Sequence, residues 1–126
     1  MQGLHLTADV SGCPADAAWM RDPSVLRRLC LGAVGEAGLS PVGELFQAFD
    51  TGSPQGGGGI TGVVLLAESH LAVHTWPELA AVTLDVYVCN FGADNSAKAE
   101  ALMQALLRDF RPVTVDRQQL HRGRPS

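Results

Sequence analysis

Lysine is almost missing from this 126-residue chain: Lys98 is its single example, and Asp plus Glu outnumber Lys plus Arg 13 to 9. The resulting net charge of −4 and pI near 5.4 exclude the clustered basic footprint of a nucleic-acid binder. Several arginines gather late in the chain (Arg108, Arg111, Arg117, Arg122, Arg124) and read as a solvated C-terminal tail. Cysteine is scarce too. Cys13, Cys30 and Cys89 are an odd number without a CxxC spacing, which excludes a disulfide scaffold and fits the reduced thiols of a cytoplasmic chain. Long apolar runs are absent: the longest, Val63 to Ala67, is far short of the roughly 20 residues a membrane helix needs. The opening MQGLHLTADV has neither a basic region nor an apolar stretch, so no secretory signal is expected. Charged residues are 17% and apolar residues 46%, a composition that folds, and the length suits one domain over residues 1–126.

What is present is regular patterning. Leu4, Leu6, Ala8 and Val10 alternate with polar residues, which predicts a strand with one buried face. Asp22-Pro23-Ser24 opens a helix whose stripe is Leu26, Leu29, Cys30, Ala33, Val34 and Ala37, with Gly38 just past its end. Val42 to Phe49, Ile60 to Ala67, Leu71 to Trp76 and Thr83 to Cys89 read as four further strands. In the last, Leu84, Val86 and Val88 point one way and Asp85, Tyr87 and Cys89 the other. Asp94 or Asn95 caps a second helix carrying Ala97, Leu102, Ala105 and Leu106, Pro112 ends it, and Val113 to Val115 is a short last strand. The order β-α-β-β-β-β-α-β with short central turns predicts an α+β two-layer sandwich, an antiparallel sheet with two helices on one face. Its helix-free face predicts a homodimer.

Residues 51–59, TGSPQGGGG, are low in complexity and read as a mobile loop. They lack the GK[ST] ending or GxGxxG pattern of a phosphate cradle.

Chemistry concentrates in AESHLAVHTWPE, residues 67–78. Taken singly, its residues have plain structural readings. Ser69 suits a bend, His70 and His74 lie on one side of a strand, and a strand cysteine such as Cys89 is a small hydrophobe. Two chemical readings compete with these. One is a metal set from His70, His74, Glu78 and Cys89, without a helical HExxH or a second nearby cysteine. The other is a Cys89–His74 thiol pair. Neither accounts for Glu68-Ser69.

As a whole, ITGVVLLAESHLAVHTWPE followed by LDVYVC resembles the prokaryotic S-adenosylmethionine decarboxylases, with Ser69, His74 and Cys89 at the family's spacing. HLTADV is similar to their opening strand, and the likeness extends to about Phe110. Two departures stand out. The glycine-rich run is longer than the family's usual loop, and Pro77-Glu78 is not followed by Tyr-Gly.

The resemblance implies a self-processing proenzyme. Ser69 attacks the Glu68 carbonyl, the peptide becomes an ester, and elimination leaves a group that hydrolyses to pyruvoyl. The products are chains 1–68 and 69–126, and the pyruvoyl made from Ser69 is the cofactor, forming an imine with the substrate's amino group. No pyridoxal lysine is needed. By the same resemblance His74 is the base in processing and Thr61 stands where relatives carry a hydroxyl. Cys89 is the proton donor in turnover, and Phe49 and Glu78 contact S-adenosylmethionine, with Phe46 the rival of Phe49. Each site of the expected dimer draws on both protomers. Decarboxylation of ornithine or arginine on the same scaffold, and an uncleaved non-catalytic homologue, are the alternatives.

Overall fold

The computed structural model describes residues 1–49 and 58–124. Most of the glycine-rich loop expected at 51–59 therefore lies outside the described residues. Six strands form one antiparallel sheet: β1 (Gln2–Ser11), β2 (Pro41–Ala48), β3 (Ile60–Leu66), β4 (Ser69–Trp76), β5 (Ala81–Cys89) and β6 (Thr114–Gly123). Their order across the sheet is β2-β3-β4-β5-β1-β6. Helices α1 (Pro23–Glu36) and α2 (Ser96–Phe110) pack on one face, as the sequence pattern predicts.

Local chemistry sets the helix ends. Asp22 Oδ1 accepts the Ser24 N–H at 3.0 Å, and Pro23 loses nothing at the first helical position. At α2 the residue before the N-cap takes this part: Asp94 Oδ1 accepts the Ser96 N–H at 2.9 Å, while the side chain of the Asn95 N-cap makes no capping bond. The second helix closes through Arg111 at φ +48°, just before Pro112.

Period-two alternation then sorts the sheet into two faces. Leu4, Leu6, Ala8, Val82, Leu84, Val86, Leu71, Val73, Ile60 and Val64 are buried beneath the helices, against Leu26, Val34, Leu102, Leu106 and Phe110. Each such Val, Leu, Ile or Phe side chain contributes about 1.5–3 kcal/mol of burial. Thr75 is the polar exception in this layer. It is 2% exposed, accepts the Ile60 N–H at 2.9 Å and donates to the Met20 carbonyl at 2.8 Å. It therefore satisfies two backbone groups that would otherwise be buried without partners. Phe46 faces this core layer above Gly62, where any Cβ would collide with its ring.

The C-terminal reading needs correction. The basic stretch is not a solvated tail, and the last strand does not stop at Val115. β6 pairs with β1 along its whole length, from Gln2 opposite Gly123 to Ser11 opposite Thr114. An edge strand is held by backbone bonds to one neighbour, so its side chains need not alternate. Arg117 is engaged: its two terminal guanidinium nitrogens, Nη1 and Nη2, each donate to Glu100 of α2 at 2.8 Å. Arg108, on α2, likewise grips Glu36 of α1 at 2.8 and 2.9 Å.

Among the described residues, the second face carries no helix. It presents His5, Thr61, His70, His74, Asp85 and Tyr87, together with Leu45, Leu65, Trp76 and Leu120, which are 65%, 50%, 41% and 57% exposed.

Candidate active site

The β3–β4 turn places Glu68 at φ +56°, in the left-handed region that L side chains adopt only at a cost of about 1–2 kcal/mol. Such strain persists where the surroundings hold it, and it collects at reactive positions. Ser69 follows at once as the first residue of β4. Its Oγ accepts the backbone N–H of Cys89 at 3.1 Å, tying the hydroxyl to the end of β5. Cys89 is itself fixed from behind. Asn95 Nδ2 donates to its carbonyl at 2.8 Å, and the Asn95 N–H donates to Asn90 Oδ1 at 2.8 Å. The Asn90 N–H reaches the Gln2 carbonyl at 2.8 Å. Around this end of the sheet lies an open cavity of about 690 Å³, walled by Leu65, Glu68, Ser69, His70, Tyr87 and Arg122 among others.

A second cluster lies further along β4. His74 Nδ1 and Thr61 Oγ1 share a hydrogen bond at 3.0 Å, which orients the imidazole. The Trp76 ring lies beside it, centroids 6.3 Å apart, and is anchored by an Nε1–H donated to Thr83 Oγ1 at 3.1 Å. Phe49, Thr61, His74, Trp76 and Glu78 together line a cavity of about 280 Å³. Phe46 faces the other way, so of the two phenylalanines it is Phe49 that lines this cavity, beside Trp76.

Spacing separates the two clusters. Five residues of extended strand put Ser69 and His74 about 16 Å apart. Ser69 and Cys89 thus sit at one end of the sheet, and Phe49, Thr61, His74 and Glu78 at the other. The Cys89–His74 pair considered from sequence does not form within the chain. The metal set of His70, His74, Glu78 and Cys89 does not assemble either. Among the described residues, the grouping close enough to share one ion is His5, His70 and Asp85, with all three ligand atoms within 4.8 Å of one another. The remaining thiols are buried beneath the helices: desolvation raises Cys13 and pushes Cys30 up to about 12, so neither is a ready nucleophile.

A family model described as S-adenosylmethionine decarboxylase matches residues 4–123. The chain belongs to the S-adenosylmethionine decarboxylase family. The S-adenosylmethionine decarboxylase proenzyme of Aquifex aeolicus (strain VF5) is 38% identical over 121 residues, 96% of this chain and 81% of that protein. The proenzyme of Archaeoglobus fulgidus is 32% identical over 121 residues, 96% of this chain and 97% of that protein. The crystal structure of the adenosylmethionine decarboxylase from Aquifex aeolicus VF5 superposes with a TM-score of 0.82 at 37% identity, covering 98% of this chain and 92% of that one. The family reading and decarboxylase class expected from ESHLAVHTWPE, and the α+β fold expected from the strand and helix order, agree with these relatives.

Sequence reasoning missed three parts of the candidate site's surroundings. His5 had no assigned role, Asp85 was an outward strand residue, and the Asn90–Asn95 lock behind Cys89 went unnoticed. For the first two a signal was present, since alternation alone puts His5, His70 and Asp85 on the same face.

Proposed function

We propose that this chain is a self-processing, pyruvoyl-dependent S-adenosylmethionine decarboxylase, releasing CO2 and the decarboxylated aminopropyl donor for spermidine synthesis. The observation that carries the reading is the Ser69 hydroxyl, held on the Cys89 N–H immediately after the left-handed Glu68. A hydroxyl fixed beside a strained peptide is preorganised for attack on the preceding carbonyl. As the Ser69 Oγ–carbonyl bond forms, the Glu68–Ser69 C–N bond breaks and leaves an ester with a free amine. Removal of the Ser69 Cα proton expels Glu68 as a carboxylate, and water then converts the residue into pyruvoyl with loss of ammonia. The chain becomes residues 1–68 and 69–126.

The residues at this end suit the group. Its place is at a strand terminus, beside a backbone donor and a cavity broad enough for a substrate's amino acid moiety. The pyruvoyl supplies a carbonyl that secures the substrate amine and accepts the electron pair as CO2 leaves. Cys89 donates a proton to the substrate Cα from the locked end of β5. His74, oriented by Thr61, takes the Cα proton during processing. Phe49 and Trp76 offer aromatic faces to the adenine and the sulfonium, and Glu78 a carboxylate to the nucleoside hydroxyls.

These roles require a second copy. A separation of about 16 Å within one chain forbids His74 from reaching its own Ser69. A two-fold axis through the open face sets the Ser69 end of one protomer against the His74 end of its partner. Leu45, Leu65, Trp76 and Leu120 are the exposed apolar side chains that such packing covers. A cytoplasmic homodimer with two shared sites is the resulting assembly.

Intact mass and labelled CO2 release test the reading. Two fragments, with the 69–126 piece blocked by pyruvoyl, and CO2 from S-adenosylmethionine are expected. A chain that stays whole, Ser69→Ala protein that still cleaves, or CO2 released instead from ornithine or arginine would each overturn it.

A further inference from the structure

Outside the chemistry above, the open face carries a cluster spanning three adjacent strands. His5 on β1 and His70 on β4 both direct Nε2 at the same atom, Oδ2 of Asp85 on the intervening β5, each at 3.0 Å. The rings enclose Tyr87. His70 stacks on it at 5.8 Å, His5 meets it edge-on at 5.9 Å, and the Arg122 guanidinium lies 6.0 Å over its centre.

A shared cation is the obvious alternative, and the other nitrogen of His5 argues against it. Arg122 Nη1 lies 3.4 Å from His5 Nδ1. A guanidinium only donates, so Nδ1 accepts and the proton of the neutral ring sits on Nε2. A metal-bound imidazole has the reverse arrangement, with its lone pair on the metal and its far N–H donated outward. That would set N–H against N–H at Arg122. Two Nε2–H groups converging on one carboxylate oxygen pair both imidazoles with Asp85 and leave His5 Nδ1 to accept from Arg122.

We propose that His5 and Asp85 form a positioning clamp that holds His70, and through it the residue before it, once the backbone at Glu68–Ser69 is broken. This rests on the self-processing reading above. While the chain is whole, the turn itself restrains Ser69. After scission residue 69 has lost its peptide link to Glu68 and its hydroxyl, and with them the Cys89 N–H contact. His70 is then the first residue with a side-chain anchor on the new end. That anchor runs through Asp85 on its own fragment to His5 on the other. Loss of the clamp therefore spares scission and impairs turnover.

The test compares wild-type protein, His5→Ala and His5→Gln, the last placing an amide N–H near the Nε2 position. Fragment yield, kcat, KM for S-adenosylmethionine and bound metal are measured on each. His5→Ala should cleave as wild type does and lose kcat on the order of tenfold or more, the scale of a small misplacement at a reacting centre. KM should stay within about twofold, and His5→Gln should recover most of kcat. Unchanged kcat in His5→Ala, equal impairment in His5→Gln, or stoichiometric zinc lost with His5 would each overturn the clamp. If His5→Ala fails to fold, His5→Gln is compared with His5→Asn, whose amide reaches the Nδ1 position. An active Gln variant beside an impaired Asn variant supports the clamp, and equal activity refutes it. Wild-type protein that stays uncut defeats the functional reading itself. Cut, active wild type matched by His5→Ala defeats only the clamp.

Discussion

The spatial division of the site along β4 makes a complementation experiment decisive. Ser69→Ala supplies an intact His74 end and cannot form pyruvoyl. His74→Ala supplies an intact Ser69 end and lacks the base. Each variant alone should be inactive. In a mixed dimer, one site has neither residue and the other has both, because the roughly 16 Å between residues 69 and 74 forces each site to use one end of each chain. Random pairing from equal co-expression makes about half the dimers mixed, so about half of the His74→Ala chains acquire a pyruvoyl and about a quarter of all sites work. Mass spectrometry resolves the two chains separately, and CO2 release should reach about a quarter of the wild-type rate per chain. No pyruvoyl on the His74→Ala chain, in a preparation shown to contain mixed dimers, would refute the shared-site argument. A site complete within one chain predicts that outcome.

Other expectations follow from particular contacts. Cys89→Ala should process fully and lose most turnover, read as complete fragmentation with little CO2; undiminished release would move the proton donor elsewhere. Thr75→Val leaves the Ile60 N–H and Met20 carbonyl buried without partners and should destabilise the fold by about 3 kcal/mol, a melting shift near 10 °C. A shift under a few degrees would show that the backbone relaxes around the change. The guanidinium of Arg117 holds Glu100 down to about 2 in the fold, so this contact's stability is present above the ordinary carboxylate range and fades as pH falls toward 2. Because both side chains are partly solvated, Glu100→Gln should cost only about 0.5 kcal/mol at pH 7, with the difference from wild type vanishing near pH 2 in thermal melts.

Much of the architecture was legible because apolar alternation and helical spacing follow burial. β1 and β5 lie under α2, and their Leu and Val phases specify the inward face. β6 was not legible for the same reason in reverse. It lies at an edge, Arg117 and Arg122 satisfy different partners on its two sides, and its pairing to β1 is written in backbone bonds, which leave no residue signature. Within the site, ESHLAVHTWPE named the chemistry, since those residue types are rare together for structural reasons alone. The distance between its parts was hidden by the line of text. Ser69 and His74 are five letters apart, yet on an extended strand that is too far for one proton to travel directly. His5 and Asp85, remote in sequence from each other and from His70, became partners only through the β1–β5–β4 order.

That strand order also decides what becomes of a nicked molecule. Of the two pieces made by a break after residue 68, the first owns β1, β2 and β3 and the second owns β4, β5 and β6, yet β1 is threaded between β5 and β6. Three ladders join the pieces, β3 with β4, β5 with β1 and β1 with β6, so they cannot drift apart while the sheet persists. Once melted they must find each other again by diffusion, and recovery becomes dependent on concentration. A break after residue 68 would exchange one continuous chain for an interwoven pair that, once lost, is rebuilt only by an encounter.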